Sequence, residues 1–386
     1  MFVRRIELTN FLSFGSSPVC LSLEPLNVLV GPNGSGKSNL IEAFRLLQAA
    51  PGDLSEPVRL GGGVQDWIWK GDPQGSATID AVVENPKGRM PLRHVLQFRE
   101  SGHRFEVADE RIENEHAYVN KPGPYFHYRF QNGHPVLNVR EEPRTLRRED
   151  VDPQLSIVAQ RKDPDQYPEI TYLGAAYKQI RVYRDWTFGR TAPARGAQQA
   201  DLDNQHVSED FLNLGMVLNR MRMVYPLKQR LLEMLCELYA GITDFDLSIN
   251  AGKVQVVLHE GRFAVPASRL SDGTLRWLCL LAILLDTTPP PLVCIEEPEL
   301  GLHPDLLPTL ARLLREASER TQLVVTTHSE VLVDALTETP EYVVVCEKPD
   351  ETTRFSRLSR EGLADWLEKY TLGQLWSKGE IGGNRW

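Results

Sequence analysis

The chain has 386 residues, 41% of them hydrophobic and 25% charged, a globular composition that leaves ample length for a core and excludes a disordered chain. A net charge of −9 argues against a broad nucleic-acid-coating surface, which needs many Lys and Arg facing phosphates. No apolar run reaches membrane-span length, since the longest candidate, 275–285, is interrupted by Arg276, and the start MFVRRIELTNF lacks the apolar core of a signal peptide. The expectation is a soluble, cytoplasmic protein with no membrane partner.

Residues 2–9 alternate apolar and polar and predict a strand. The continuous apolar run 26–31 predicts a buried strand ending in Gly31, and 37–50 carry apolar residues at helical spacing until Pro51-Gly52 stops them. Residues 51–75 are rich in Gly and Pro. Three short strands are predicted at 76–84, 93–100 and 103–109, the last two joined around Ser101-Gly102. The charged, Pro-rich stretch 110–170 predicts loops with short strands. A helical pattern runs over 208–239, with Pro226 dividing it into two helices. Strands follow near 243–250 and 253–259, then a strongly apolar helix at 274–286. A buried strand LVCIEEP at 292–298, a helix at 305–319 and a strand TQLVVTTHS at 321–329 complete the pattern. Strand–helix alternation in this C-terminal part implies a largely parallel sheet covered by helices.

Two features have bland readings. Five cysteines (Cys20, Cys236, Cys279, Cys294, Cys346) lie scattered, with no CxxC and no His at metal spacing, and read as reduced, mostly buried thiols. Arg89, Arg93, Arg99 and Arg104, and again Arg140, Arg144, Arg147 and Arg148, could form local basic patches, but solvated charge on strands and loops is the favoured reading.

The chemistry begins at residues 31–38. Gly31-Pro32-Asn33-Gly34-Ser35-Gly36-Lys37-Ser38 satisfies GxxxxGK[ST], between a predicted strand and a predicted helix that continues with Asn39. The glycines let backbone N–H groups turn inward around a phosphate, Lys37 can reach the β- and γ-phosphates, and the Ser38 hydroxyl can hold Mg²⁺. The strand LVCIEEP ends in Glu296 and Glu297, where a Walker B strand carries first a metal-holding acid, more commonly Asp, and then a base that polarises water. Ser271-Asp272-Gly273 opens the apolar helix at 274–286. It offers a hydroxyl and N–H groups for an anion, although an ordinary N-cap by Ser271 or Asp272 is the plain alternative. His328 closes the next predicted strand, whose carboxyl end faces a ligand crevice in a parallel sheet, and reads as a γ-phosphate contact.

The order GPNGSGKS, LSDGT, CIEEPELGLHP, TTHS resembles an ATP-binding-cassette ATPase head of the SMC/RecF type, and more closely the RecF-like AAA_21 group, which includes the ATPase modules of OLD-type nucleases. The opening IELTNFLSFG is similar to that group's start, as is the close TLGQLWSKGEIGGNRW. The implied fold is α/β: a P-loop mixed sheet with helices on both faces, an antiparallel β lobe and a short helical insertion. The implied organisation is a single head over 1–386, with a nucleotide-binding core at 1–50 and 260–345, a β-rich lobe and loops at 76–200 and a helical subdomain at 205–242. The resemblance implies ATP and Mg²⁺ as cofactors and a head-to-tail homodimer that sandwiches ATP. Ser271 and Gly273 would meet the nucleotide of the partner, and 299–303 would be the D-loop crossing that interface. It places NFLSF (10–14) on the adenine side, and the Mg²⁺-sensing lid glutamine at Gln160, with Gln65 the runner-up.

No sustained heptad lies between Lys37 and Ser271, which excludes an SMC rod, and residues 329–386 leave no room for a Toprim nuclease domain. The expected function is an ATP-hydrolysing, dimerising switch in DNA repair or phage defence, controlling DNA engagement or a separately encoded nuclease or toxin. The alternatives are a nucleotide-gated scaffold with weak turnover, which the Glu296 replacement leaves open, and a transporter cassette, which the RecF-like start disfavours.

Overall fold

The computed structural model describes residues 1–131, 134–138, 143–145 and 151–383. Arg140, Arg147, Arg148 and the side chain of Arg144 lie outside that description. The chain divides into two compact units, Met1–Ile180 with Glu341–Gly362 and Gly379–Trp386, and Arg181–Pro340 with Leu363–Lys378.

The first unit is built on strands β1 (Val3–Thr9), β2 (Val19–Ser22), β3 (Leu26–Val30), β4 (Ala77–Val83), β5 (Leu92–Ser101), β6 (Arg104–Asn114), β7 (Phe126–Gln131), β8 (His134–Asn138) and β9 (Pro143–Thr145). All but β3 form one sheet in the order β2-β1-β4-β5-β6-β7-β8-β9, antiparallel throughout, with a tight turn at Ser101–Arg104 between β5 and β6 and a long excursion between the paired strands β1 and β4. Its core is aromatic: Phe11 stacks on Phe14 at 6.4 Å and meets Trp67 and Phe98 edge-on at 5.8 and 6.3 Å. The segment 110–170, read as loops with short strands, also holds a short helix, Ile157–Gln160, and a second helix, Pro168–Tyr177, begins at its end and runs on into a stretch given no element. The second was legible in principle, with Pro at its start, Glu169 in its first turn and Ile170, Leu173, Ala176 and Tyr177 buried at helical spacing.

A polar cluster lies inside this unit. His94, fully buried, reaches Tyr177 Oη at 3.1 Å and Glu110 Oε1 at 3.0 Å, and Glu110 Oε2 accepts from Ile157 N at 2.8 Å. Ser156 caps the helix Ile157–Gln160 and also donates to Glu110, so the helix start is anchored to β6. The basic run of β5 resolves as sheet pairing: Arg93 binds Asp80 and Glu113, and Arg99 binds Glu106 across the hairpin.

The second unit holds β10 (Arg181–Tyr183), β11 (Gln198–Gln199), β12 (Ile242–Asn250), β13 (Lys253–Glu260), β14 (Phe263–Pro266), β15 (Leu292–Glu296) and β16 (Gln322–Thr326). Strands β10, β15 and β16 run parallel, and β15 and β16 are almost wholly buried, as their unbroken apolar sequences require. Strands β11 to β14 form a separate antiparallel sheet. The predicted helical stretch is two helices, Leu214–Arg222 and Tyr225–Leu238, with Pro226 in the first turn of the second, where its missing N–H costs nothing. The helix Asp272–Leu284 buries every residue from Leu275 onward, Arg276 included. Leu307–Ser318 buries Leu307, Leu310, Ala311 and Leu314, one stripe of an amphipathic helix.

The chain then returns to the first unit with β17 (Val343–Glu347), parallel to β3, and β18 (Arg354–Arg357), antiparallel to β17. Among the described residues no helix is long and apolar enough to cross a membrane. All five cysteines are free; Cys279, Cys294 and Cys346 are buried, whereas Cys20 and Cys236 are exposed.

Candidate nucleotide site

The phosphate loop of the first unit runs from β3 into the helix Lys37–Ala49. Its shape depends on glycines. Gly36 caps the helix at φ 102, and a Cβ there would lie 2.1 Å from Thr353 Oγ1 and 2.8 Å from Ser13 Oγ. Gly31 lets the loop pass against the Cys346 carbonyl, 2.2 Å from where a Cβ would stand. Lys37 Nζ donates to the carbonyls of Gly31 and Pro32 at 2.8 and 3.0 Å, so the ammonium is already held at the centre of the loop. Ser35 Oγ is buried with no hydrogen-bond partner among the described residues, while Asn33, Gly34 and Ser38 are exposed.

Two hydroxyls from remote sequence buttress this loop. Thr353 Oγ1 donates to the Ser35 carbonyl at 2.9 Å and shares a 2.7 Å hydrogen bond with Ser13 Oγ, which accepts from Asn39 Nδ2 at 2.7 Å. Thr353 carried no sequence signal. Ser13 shows what NFLSF contributes here: Phe11 and Phe14 are fully buried in the aromatic core, so neither ring is available to a base. Beside them a cavity of about 370 Å³ is lined by residues 15–20, Trp69 and 352–355.

Gln160 is committed locally. Its Nε2 donates to the carbonyls of Asp152 and Leu155 at 3.1 and 2.9 Å, and its Oε1 accepts from Asp152 N at 2.8 Å. Gln65 is exposed and bonds Glu100.

The second unit brings the other predicted residues together. Strand β15 ends at Glu296, and Glu297 turns into the left-handed region at φ 46, a conformation that costs a non-glycine residue about 1–2 kcal/mol. Its amide donates to the Thr326 carbonyl at 3.0 Å. The Glu297 carboxylate is 38% exposed, with Oε1 3.7 Å from His328 Nε2. Glu296 Oε2 accepts from Arg184 Nε at 3.1 Å, and its Oε1 is buried without a hydrogen bond among the described residues. Glu299 accepts from Thr327 Oγ1 at 2.6 Å and from His328 N at 2.9 Å, and burial raises its pKa.

Ser271 is the N-cap of Asp272–Leu284 and accepts from Thr274 N at 3.1 Å; Asp272 is exposed and pairs with Arg195. A Cβ on Gly273 would stand 2.7 Å from the Gly301 carbonyl, so this glycine lets the 299–303 turn pack against the helix start. Arg184, Arg195 and Trp186 come from a segment without motif character. Arg276 did carry a signal, as a lone cation in an apolar helix.

The order of these parts is matched by a family model described as "AAA domain, putative AbiEii toxin, Type IV TA system" (AAA_21), which aligns with residues 26–334. The chain belongs to this family. The family is one of AAA/ABC-type ATPases, and the chain shares its fold with SMC heads. The chromosome partition protein Smc of Mycobacterium tuberculosis is 30% identical over 118 residues, 28% of this chain and 10% of that protein. The Smc of Halothermothrix orenii is 33% identical over 97 residues, 24% of this chain and 8% of that protein. The matches thus span a tenth or less of these relatives. In fold, the AAA_21 chain is similar to an SMC head solved bound to the C-winged helix domain of ScpA, with a TM-score of 0.60 at 16% identity, covering 94% of this chain and 99% of that one. It is also similar to a Pyrococcus furiosus Smc head with an extended coiled coil bound to the C-terminal domain of ScpA, with a TM-score of 0.55 at 15% identity, covering 95% and 99%.

Proposed function

We propose that this AAA_21 ATPase binds ATP with Mg²⁺, closes as a homodimer around it, and reopens on hydrolysis. The observation that carries this reading is Glu297: an acid held in a strained backbone conformation at the end of a buried strand, with its carboxylate open and beside His328. In this reading Lys37 and the loop amides of 33–38 bind the phosphates. Glu297 accepts the proton of the attacking water, and His328 orients that water or the γ-phosphate. The cavity beside Trp69 and Thr352 takes the adenine side. Ser271, Asp272 and Gly273 meet the nucleotide of the partner subunit.

Glu296 fits a Mg²⁺ role, because its Oε1 is a buried carboxylate oxygen without a hydrogen bond among the described residues. Ser38 is exposed at the helix start and fits as the second ligand. Gln160 joins them only if its bond from Asp152 N opens. When bound, Mg²⁺ would neutralise charge on the phosphates. The domain assignment stays with this reading: a core at 1–50 and 260–345, a β lobe at 76–200 and a helical subdomain at 205–242.

Closure would control DNA engagement or a separate nuclease or toxin effector, in repair or phage defence. The toxin–antitoxin wording of the family description and the chromosome-partition role named for the Smc relatives support those two outputs. The ion pair of Arg184 with Glu296 favours a second reading, a nucleotide-gated scaffold with slow turnover.

The test is phosphate release from the wild type and from Glu297→Gln, with mass measured by light scattering. Turnover that falls by about 10²–10³-fold in the variant, together with an ATP-stabilised dimer, supports the switch. Turnover equal in both chains overturns the role of Glu297. Slow wild-type turnover with ATP-dependent dimerisation selects the scaffold.

A further inference from the structure

Trp186 and Arg276 hold the two acids by their backbone, and no motif accounts for either residue. Trp186 Nε1 donates to the Glu296 carbonyl at 2.7 Å, and Arg276 Nη1 donates to the Glu297 carbonyl at 3.2 Å. The two donors are stacked on each other. The Arg276 guanidinium lies 4.9 Å from the centre of a Trp186 ring and 5.8 Å from that of Phe188. Phe211, itself at φ 61, packs flat against Trp186 at 5.3 Å and closes the aromatic stack from behind. Both acid carbonyls therefore meet donors packed in one stack, and the left-handed turn at Glu297 is bonded on three sides: by Trp186, by Arg276 and, through the Glu297 amide, by the Thr326 carbonyl.

The same cluster reaches the start of the signature helix. Arg195, buried, donates from Nε to the Phe188 carbonyl at 2.7 Å and from Nη1 to the Leu270 carbonyl at 2.5 Å, and pairs with Asp272. Arg276 sits on the helix that Ser271 caps. Within one unit of one chain, a continuous path thus runs from the Ser271–Gly273 helix start through Arg195, Phe188, Trp186 and Arg276 to the Glu297 peptide.

We propose that Trp186 and Arg276 are positioning residues for Glu297, and that they transmit a shift of the signature helix to that acid. The inference rests on the proposed function. There, the signature of one subunit meets the nucleotide of its partner, while Glu297 serves the subunit's own. The clamp then makes each subunit's acid responsive to whether its signature is engaged. Burial disfavours the charge of Arg276, and the stack, the Glu297 carbonyl and the nearby carboxylates of Glu299, Glu297 and Asp272 offset that cost, so the guanidinium is held among groups of the acid turn and the signature helix start.

The test uses the full chain as Trp186→Phe, which keeps a ring but removes the donor, Arg276→Met, which removes donor and charge, and Arg276→Lys, which restores both. Turnover is measured across ATP concentration. Hydrogen exchange of peptides covering 31–39 and 296–302 is followed with and without a non-hydrolysable ATP analogue. Trp186→Phe and Arg276→Met should lower kcat by about tenfold or more with KM for ATP unchanged, and Arg276→Lys should recover part of it. Exchange at 296–302 should quicken by about tenfold in the two loss variants and stay unchanged at 31–39. Wild-type kcat in both loss variants overturns the proposal. So do kcat, KM and melting temperature falling together, or unchanged exchange at 296–302. Should the wild type itself not hydrolyse ATP, the functional reading fails while the exchange result still decides the clamp.

Discussion

The phosphate loop and the acid pair solve the problem of a rigid site in opposite ways. The loop of 31–38 is made rigid by what is absent: at Gly31 and Gly36 the lack of a Cβ lets Cys346, Ser13 and Thr353 close in on the main chain. The acid pair is made rigid by added side chains. Glu297 is an ordinary L residue forced to φ 46, and Trp186, Arg276 and Thr326 hold its peptide and that of Glu296 in place. A site carved from backbone is written as a contiguous motif, because only glycine fits. A site held by side chains draws them from wherever the fold delivers them.

The contrast can be broken most severely at the loop. Gly36→Ala places a methyl 2.1 Å from a buried hydroxyl at φ 102, and is expected to abolish ATP binding and to cost about 3 kcal/mol or more in urea unfolding. A variant that binds ATP with wild-type stability would show that the loop is more pliable than the buttress implies. Lys37→Ala should weaken ATP binding by about 100-fold in calorimetry, since it removes charge-assisted bonds to the phosphates, and should lower the melting temperature modestly, since the Gly31 and Pro32 carbonyls lose their donor. Equal affinity in both proteins would end the reading of this loop as the phosphate site.

Gly273→Ala separates the halves. Its methyl would press on the Gly301 carbonyl, so ATP-driven dimerisation should weaken about tenfold in sedimentation while ATP affinity stays constant. Affinity lost in step with dimerisation would contradict that separation. Thr353→Val removes a buried donor to Ser35 and should cost about 1–2 kcal/mol, read as a lower urea midpoint.

The smallest effect is a slope. Burial raises the Glu299 pKa above its ordinary 4.5, so its neutral form fits the fold better than its ion. The stability this gives is complete below the ordinary value and is lost as pH rises through the raised one. Glu299→Gln should therefore gain melting temperature relative to wild type as pH climbs through that window, and parallel curves would remove burial as the cause.

Much of the fold was legible. The strand-loop-helix at 26–49, the division of the helical stretch at Pro226 and the parallel strands β15 and β16 follow from apolar period, glycine and proline, which act within a few residues. The helix Pro168–Tyr177 and the buried cluster of His94, Glu110, Ser156 and Tyr177 did not emerge from the sequence, because polar residues that satisfy one another across a fold look solvated in sequence. The basic run 89–104 was ambiguous for the same reason until Asp80, Glu106 and Glu113 appeared opposite Arg93 and Arg99.

By itself the sequence determined the nucleotide loop, the acid pair, the capped helix and their order. These are local demands of backbone geometry and charge that no distant residue can replace. Only the tertiary structure decided that Thr353 and Ser13 brace the loop, that Phe11 and Phe14 serve the core, and that Trp186 and Arg276 fix Glu297. Hydrogen bonds and ring contacts are made by proximity in space, and a residue's neighbours in the chain carry no record of them.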